Sequence, residues 1–220
     1  MLVFILSSPS SHNPWAQEPK EIRYVTIGDS YTIGTGASPH ESWPARLTRH
    51  LKAEGISIQL TANLAQAGGT TQEAIDFQLL QFKKLKPTFA TLLIGVNDWV
   101  QGIDPETFRQ RFIYLLDQML AVLEDPPKLI VITIPDFSVT PQGSRLGGGR
   151  RITEGLKNFN AIIGDEAERR GLPVVDLFEV SREMGSNPSL LSEDGLHPSA
   201  QGYALWEEEI YPQVKKLLDE

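Results

Sequence analysis

The chain has no cysteine among its 220 residues. That absence excludes disulfide frameworks, thiolate-bound zinc, iron–sulfur clusters and cysteine nucleophiles together. A nucleophile here has to be an oxygen or a lysine. Positive charge is also scarce: 20 Lys and Arg stand against 28 Asp and Glu, a formal charge of −8. This is the wrong sign for gripping a phosphate backbone, so nucleic acid is not an expected partner. Long apolar runs are missing too, and nothing approaches the roughly 20 residues of a membrane span. The longest candidate near the amino terminus, Leu2 to Leu6, has no basic residue before it and falls short of the roughly 7–15 apolar residues of a signal-peptide core. It reads either as the truncated end of an export signal or as a tail. Residues 1–21 are therefore assigned as a leader or disordered tail, with the compartment, cytoplasmic or exported, left open.

What remains has an apolar share of 40% and a charged share of 22%, as in an ordinary globular domain. One domain over residues 22–220 is expected, able to bury roughly 70% of its unfolded surface. Short β-branched runs alternate with stretches of helical period. Ile22 to Ile27, Ile56 to Leu64, Phe89 to Ile94, Lys128 to Ile134 and Leu172 to Val175 read as strands. Ser42 to Glu54, Thr71 to Leu85, Pro105 to Glu124, Ile152 to Arg170 and Ala200 to Leu218 carry apolar residues three and four apart and read as helices. Asp104 before Pro105 is a cap with a first-turn proline, and Thr70 with Glu73 makes a capping box. Five strand–helix units in succession predict a parallel five-stranded sheet with helices on both faces. The glycine-rich, basic connection from Phe137 to Arg151 reads as a mobile loop.

In an open sheet of this kind, ligands bind beyond the carboxyl ends of the strands. The first strand runs into Gly28-Asp29-Ser30, which puts a hydroxyl there. The second ends in a loop containing Gly68-Gly69-Thr70, with glycine amides ahead of a helix amino terminus. The third ends in Gly95-Val96-Asn97-Asp98, and after the fifth comes Asp194-Gly195-Leu196-His197-Pro198. A serine hydroxyl needs a neutral imidazole to take its proton as it attacks. The imidazole in turn needs a carboxylate to hold its tautomer. Ser30, His197 and Asp194 fill these roles, and Ser30 N–H, Gly68 N–H and the Asn97 side chain are candidate donors to an oxyanion. Each motif is weak alone; their joint occurrence at successive strand ends carries the assignment.

These blocks resemble the SGNH hydrolases, also called GDSL-type esterases and lipases, over residues 22 to about 212. Ser30, Gly68, Asn97 and Asp194 with His197 stand at that family's motif positions, and Trp43-Pro44-Ala45-Arg46-Leu47 is similar to its usual first helix. The resemblance implies a three-layer α/β/α sandwich of flavodoxin-like strand order. It also implies a serine esterase that acts on small ester substrates of short-chain acyl, acetylated carbohydrate or lysophospholipid type, with no cofactor and no metal. The register of the second block is open by one residue, Gly68 or Gly69. Gly68 is favoured because the following Thr-Thr then falls on the common pattern.

Alternatives from other classes are a non-catalytic carbohydrate or cell-wall binding domain, which would be expected to lack a motif residue, and an acyltransferase with the same residues. A phosphate-binding loop over Ile27 to Gly36 lacks the lysine and the glycine spacing of that motif. Asp29 and Asp98 are expected to brace backbone amides, and Tyr31 and Trp99 to line a substrate pocket or join the core. Glu207-Glu208-Glu209 reads as a solvated helix face, Arg145, Arg150 and Arg151 as part of a mobile loop, and His12, His40 and His50 as solvent-facing. With no spare segment for a lid, the site is expected to be open and shallow.

Overall fold

The computed structural model describes residues 20–219; most of the proposed leader lies outside the described residues. Five parallel strands, β1 (Ile22–Gly28), β2 (Ile58–Asn63), β3 (Phe89–Leu93), β4 (Leu129–Ile132) and β5 (Val174–Val175), form one sheet in the order β2-β1-β3-β4-β5. The chain reverses its direction of travel across the sheet between β1 and β3. At that switch point the flanking loops diverge and leave a crevice. Every residue of β3 and β4 is buried, because helices cover both faces of these strands and no solvated face needs polar residues. One irregularity lies between β1 and β2, where Tyr24 pairs with Leu60 but Val25 pairs with Ala62, leaving Thr61 as the extra residue of a bulge.

The helices are α1 (Ser30–Ile33), α2 (Trp43–Ala53), α3 (Thr71–Glu73), α4 (Leu79–Leu85), α5 (Val96–Gln101), α6 (Pro105–Leu120), α7 (Ile152–Glu168), α8 (Phe178–Ser181) and α9 (Ala200–Asp219). Helices α2 and α9 pack on one another in one outer layer, while α4, α6 and α7 make the other. The start signals act as expected. Asp104 accepts hydrogen bonds from Glu106 N–H and Thr107 N–H, with Pro105 in the first turn, and Thr70 with Glu73 closes a reciprocal capping box. Thr71 to Leu85 is helical throughout, but a π-helical turn, Ala74–Gln78, separates α3 from α4.

One surface expectation is corrected. Glu207 is only 7% exposed. It lies four residues after the core residue Tyr203, at the edge of the stripe that α9 turns toward α2. There it meets His50, whose Nδ1 is 3.0 Å from Glu207 Oε1 and whose ring stacks on Tyr211 at 3.8 Å. His50 itself is exposed, as expected, and makes this contact from the surface.

Candidate active site

The turn after β1 is shaped by crowding. A Cβ on Gly28 would meet the Thr32 side chain and the Leu93 carbonyl oxygen, so only glycine fits between the strand and the turn that follows. Asp29 then caps α1, its Oδ1 accepting from Tyr31 N–H at 3.0 Å. Ser30 is the first residue of α1, where a backbone N–H has no partner within the helix, and no other described group accepts from it. The residue is 8% exposed.

The other half of the arrangement comes from the turn before α9. Ser192 N–H donates to the His197 carbonyl at 2.9 Å, and Leu191 bridges Pro198. Gly195 takes a positive φ of 68° inside this closed loop, a torsion that favours glycine. His197 Nε2 lies 2.9 Å from Ser30 Oγ, and its Nδ1 lies 2.7 Å from Asp194 Oδ2. Asp194 Oδ1 accepts from the Ser192 hydroxyl at 2.7 Å, Leu196 N–H at 2.8 Å and His197 N–H at 2.9 Å. Partial burial disfavours the Asp194 carboxylate, but these donors outweigh it and hold the group down to about 2. An ionised Asp194 fixes the proton on Nδ1 and leaves the Nε2 lone pair facing the serine hydroxyl.

Gly68 and Asn97 come to the same edge. Gly69 N–H is bonded to the Gln66 carbonyl at 3.0 Å, whereas Gly68 N–H has no acceptor among the described residues. This difference favours Gly68 over Gly69 as a donor. Gly68 also has a φ of 78°. Asn97 Nδ2 donates to the Gly69 carbonyl at 3.0 Å, which uses one amide proton and leaves the second available. Behind them, buried Asp98 accepts from Thr71 N–H at 2.9 Å and from the Thr71 hydroxyl at 2.5 Å. That clamp joins the start of α3 to α5. Asp98 and Asp29 thus brace backbone amides, as the sequence suggested. Burial pushes the Asp29 carboxyl up to about 7, with Tyr31 N–H opposing and Asp98 reinforcing the shift.

The family model for GDSL-like lipase/acylhydrolase matches residues 26–205. This chain belongs to that family. As a GDSL hydrolase it is an enzyme that cleaves esters. It is 26% identical over 222 residues to a GDSL lipase, Rv0518, of Mycobacterium tuberculosis, covering 96% of this chain and 89% of that one. It is 23% identical over 195 residues to thioesterase 1/protease 1/lysophospholipase L1 of Escherichia coli, covering 89% and 84%. A solved lipase/acylhydrolase from Enterococcus faecalis superposes with a TM-score of 0.69 at 25% identity, over 89% of this chain and 96% of that one.

Around this GDSL hydrolase's Ser30, the remaining expectations divide. Tyr31 is a core residue: its ring lies under His197 at 5.1 Å and against Trp206 at 5.6 Å, and it is buried. Trp99 packs so closely on α7 that a Cβ on Gly155 would collide with its indole. It lines a groove of about 490 Å³ between the Gly102–Pro105 turn and α7. Arg150 lies over its ring at 4.1 Å and donates to the Trp99 and Val100 carbonyls, a cation at the end of α5 where the helix dipole favours it. The 137–151 connection is therefore held by specific contacts, where the sequence suggested a mobile loop. Thr140 and Gly143 are buried in it, and Gln142 N–H reaches the Gly195 carbonyl at 3.0 Å. The contributions of Thr71 and Gln142 left no signal in the sequence, because each acts on a loop distant in the chain.

Proposed function

We propose that this enzyme hydrolyses carboxylic esters through an acyl-enzyme on Ser30. The observation that carries the reading is the unbroken run of hydrogen bonds Ser30–His197–Asp194, at 2.9 and 2.7 Å. Ser30 Oγ attacks the ester carbonyl while His197 Nε2 takes its proton. The negative charge that develops on the carbonyl oxygen meets the N–H groups of Ser30 and Gly68 and the free amide proton of Asn97. Loss of one such donor typically costs about 2.7–4 kcal/mol of barrier. As the intermediate collapses, the C–O bond to the alcohol breaks and His197 gives its proton to the departing oxygen. Water then attacks the acyl group as His197 takes a proton from it, and collapse returns that proton to Ser30 Oγ with release of the acid. Asp194 stays ionised throughout and holds the ring.

The substrate class we infer is small esters of short-chain acyl, acetylated carbohydrate or lysophospholipid type. The Escherichia coli relative is named for thioesterase and lysophospholipase activities, which fits this class. The test is a fluorophosphonate label located by peptide mapping, followed by an acyl series from acetyl to palmitoyl esters and thioesters. Labelling at Ser30, with no hydrolysis by Ser30→Ala, is the expected result. A Ser30→Ala variant that keeps wild-type rates sinks the reading.

A further inference from the structure

The π-helical turn Ala74–Gln78 is closed by Leu79 N–H, which reaches back five residues to the Ala74 carbonyl. Such turns insert one extra residue into a helix and recur at functional sites. Here two consecutive side chains, Gln78 and Leu79, both turn inward and are 2% exposed, between the exposed Phe77 and Leu80. Leu79 joins the apolar core. Gln78 does not. Its Nε2 donates to the Gly28 carbonyl at 2.9 Å, and its Oε1 accepts from Gly28 N–H at 3.0 Å.

Gly28 ends β1, two residues before Ser30. Its carbonyl also accepts from Gln66 N–H at 3.2 Å, so strand end, Gln78 amide and the loop carrying Gly68 meet at one oxygen. A Cβ on Gly69 would lie 3.5 Å from Gln78 Nε2, which shows how closely that loop passes the amide. A buried amide that served only to fill space would be replaced by an apolar side chain without loss, since its own desolvation must first be repaid. Both of its polar atoms are instead spent on the residue from which the nucleophile turn departs.

We propose that Gln78 is a positioning residue for ester hydrolysis: its amide holds the end of β1, and hence Ser30, in register with the Gln66–Gly69 loop that carries the Gly68 donor. The inference rests on Ser30 being the nucleophile. Gln78 touches no reacting atom. Its effect passes through geometry, to which acyl transfer is sensitive at the level of about 1 Å.

Two variants test this. Gln78→Met keeps the length of the side chain and removes both hydrogen bonds. Its kcat per fluorophosphonate-titrated Ser30 should fall roughly 10- to 100-fold with KM little changed, the signature of a loss felt in the transition state. Gln78→Glu keeps the acceptor and, when protonated, also supplies the donor; ionised, it turns a second acceptor toward the Gly28 carbonyl. Its rate relative to wild type at the same pH should therefore be near one in acid and fall as the pH rises. A purely structural role would give no such limb under conditions where both proteins are fully folded. Wild-type kcat per titrated site in Gln78→Met overturns the proposal. So does a Gln78→Glu ratio that does not fall with rising pH, and this second measurement decides alone if Gln78→Met fails to fold. Retained hydrolysis in Ser30→Ala would instead overturn the reading of the nucleophile, so the two failures are distinguishable.

Discussion

Replacing Asp29 by Asn should stabilise the folded protein increasingly as the pH rises. Asp29 is fully buried beside Ser30; Oδ1 accepts from Tyr31 N–H, and Oδ2 has no partner among the described residues. Burial, with Asp98 reinforcing it, raises the carboxyl from 3.8 to about 7 in the folded state. Between these two values the folded protein holds a proton that the unfolded chain has released, so stability falls as the pH climbs. Above pH 7 the loss is complete. A shift of about three units at about 1.4 kcal/mol each gives a deficit of about 4 kcal/mol, a large part of the roughly 5–15 kcal/mol that holds a domain together. Asparagine keeps the acceptor for Tyr31 N–H and carries no charge at any pH. The assay is urea unfolding of wild type and Asp29→Asn across the pH range, taking the difference in stability so that other titrating groups cancel. The variant should gain on wild type progressively from about pH 4 to about pH 8. A difference independent of pH, or one that grows on acidification, would refute the buried-carboxyl argument.

Two further variants have expected outcomes. Asn97→Ala should lower kcat roughly 100- to 1000-fold toward an activated acetyl ester, with a smaller change in KM, because the amide proton is needed most when charge develops; steady-state kinetics with thermal melts as a folding control measure this. Asp194→Asn should lower kcat by about 10³- to 10⁴-fold through the wrong tautomer at His197. Because the folded-state value of Asp194 is depressed to about 2, its contribution to stability is present above the ordinary carboxylate range and disappears as the pH falls through about 2. Wild type should therefore show an acid-range loss of stability that Asp194→Asn lacks, visible in melts below pH 4. Equal slopes in the two proteins would contradict the hydrogen-bond account of that carboxylate.

Much of this architecture is legible in windows of about ten residues, because strand alternation, helical period and capping are local properties. The five strands, the five long helices and the Thr70–Glu73 and Asp104–Pro105 starts all fall where those patterns place them, within a few residues. Motif spacing likewise marked Ser30, Asn97, Asp194 and His197 as a set, since each follows a strand end. The π-helical turn is not legible in the period, because Gln78 is polar and period alone assigns a polar residue to solvent. The burial of Glu207 is hidden for the same reason.

By itself, then, the sequence determined the order of strands and helices, the exclusion of thiol chemistry, and the residue types gathered at the strand ends. The tertiary structure alone decided which of those residues meet. His197 reaches Ser30 across 167 positions of chain only because β1 lies inside the sheet and the turn before α9 closes beside it. The fold adds a second ground for Gly68 over Gly69, since it has already satisfied the Gly69 amide, and the Gln78 clamp depends on a helix that passes behind Gly28. These are long-range pairings between groups that chain-local preferences do not connect, and they come into being only once the sheet order is set.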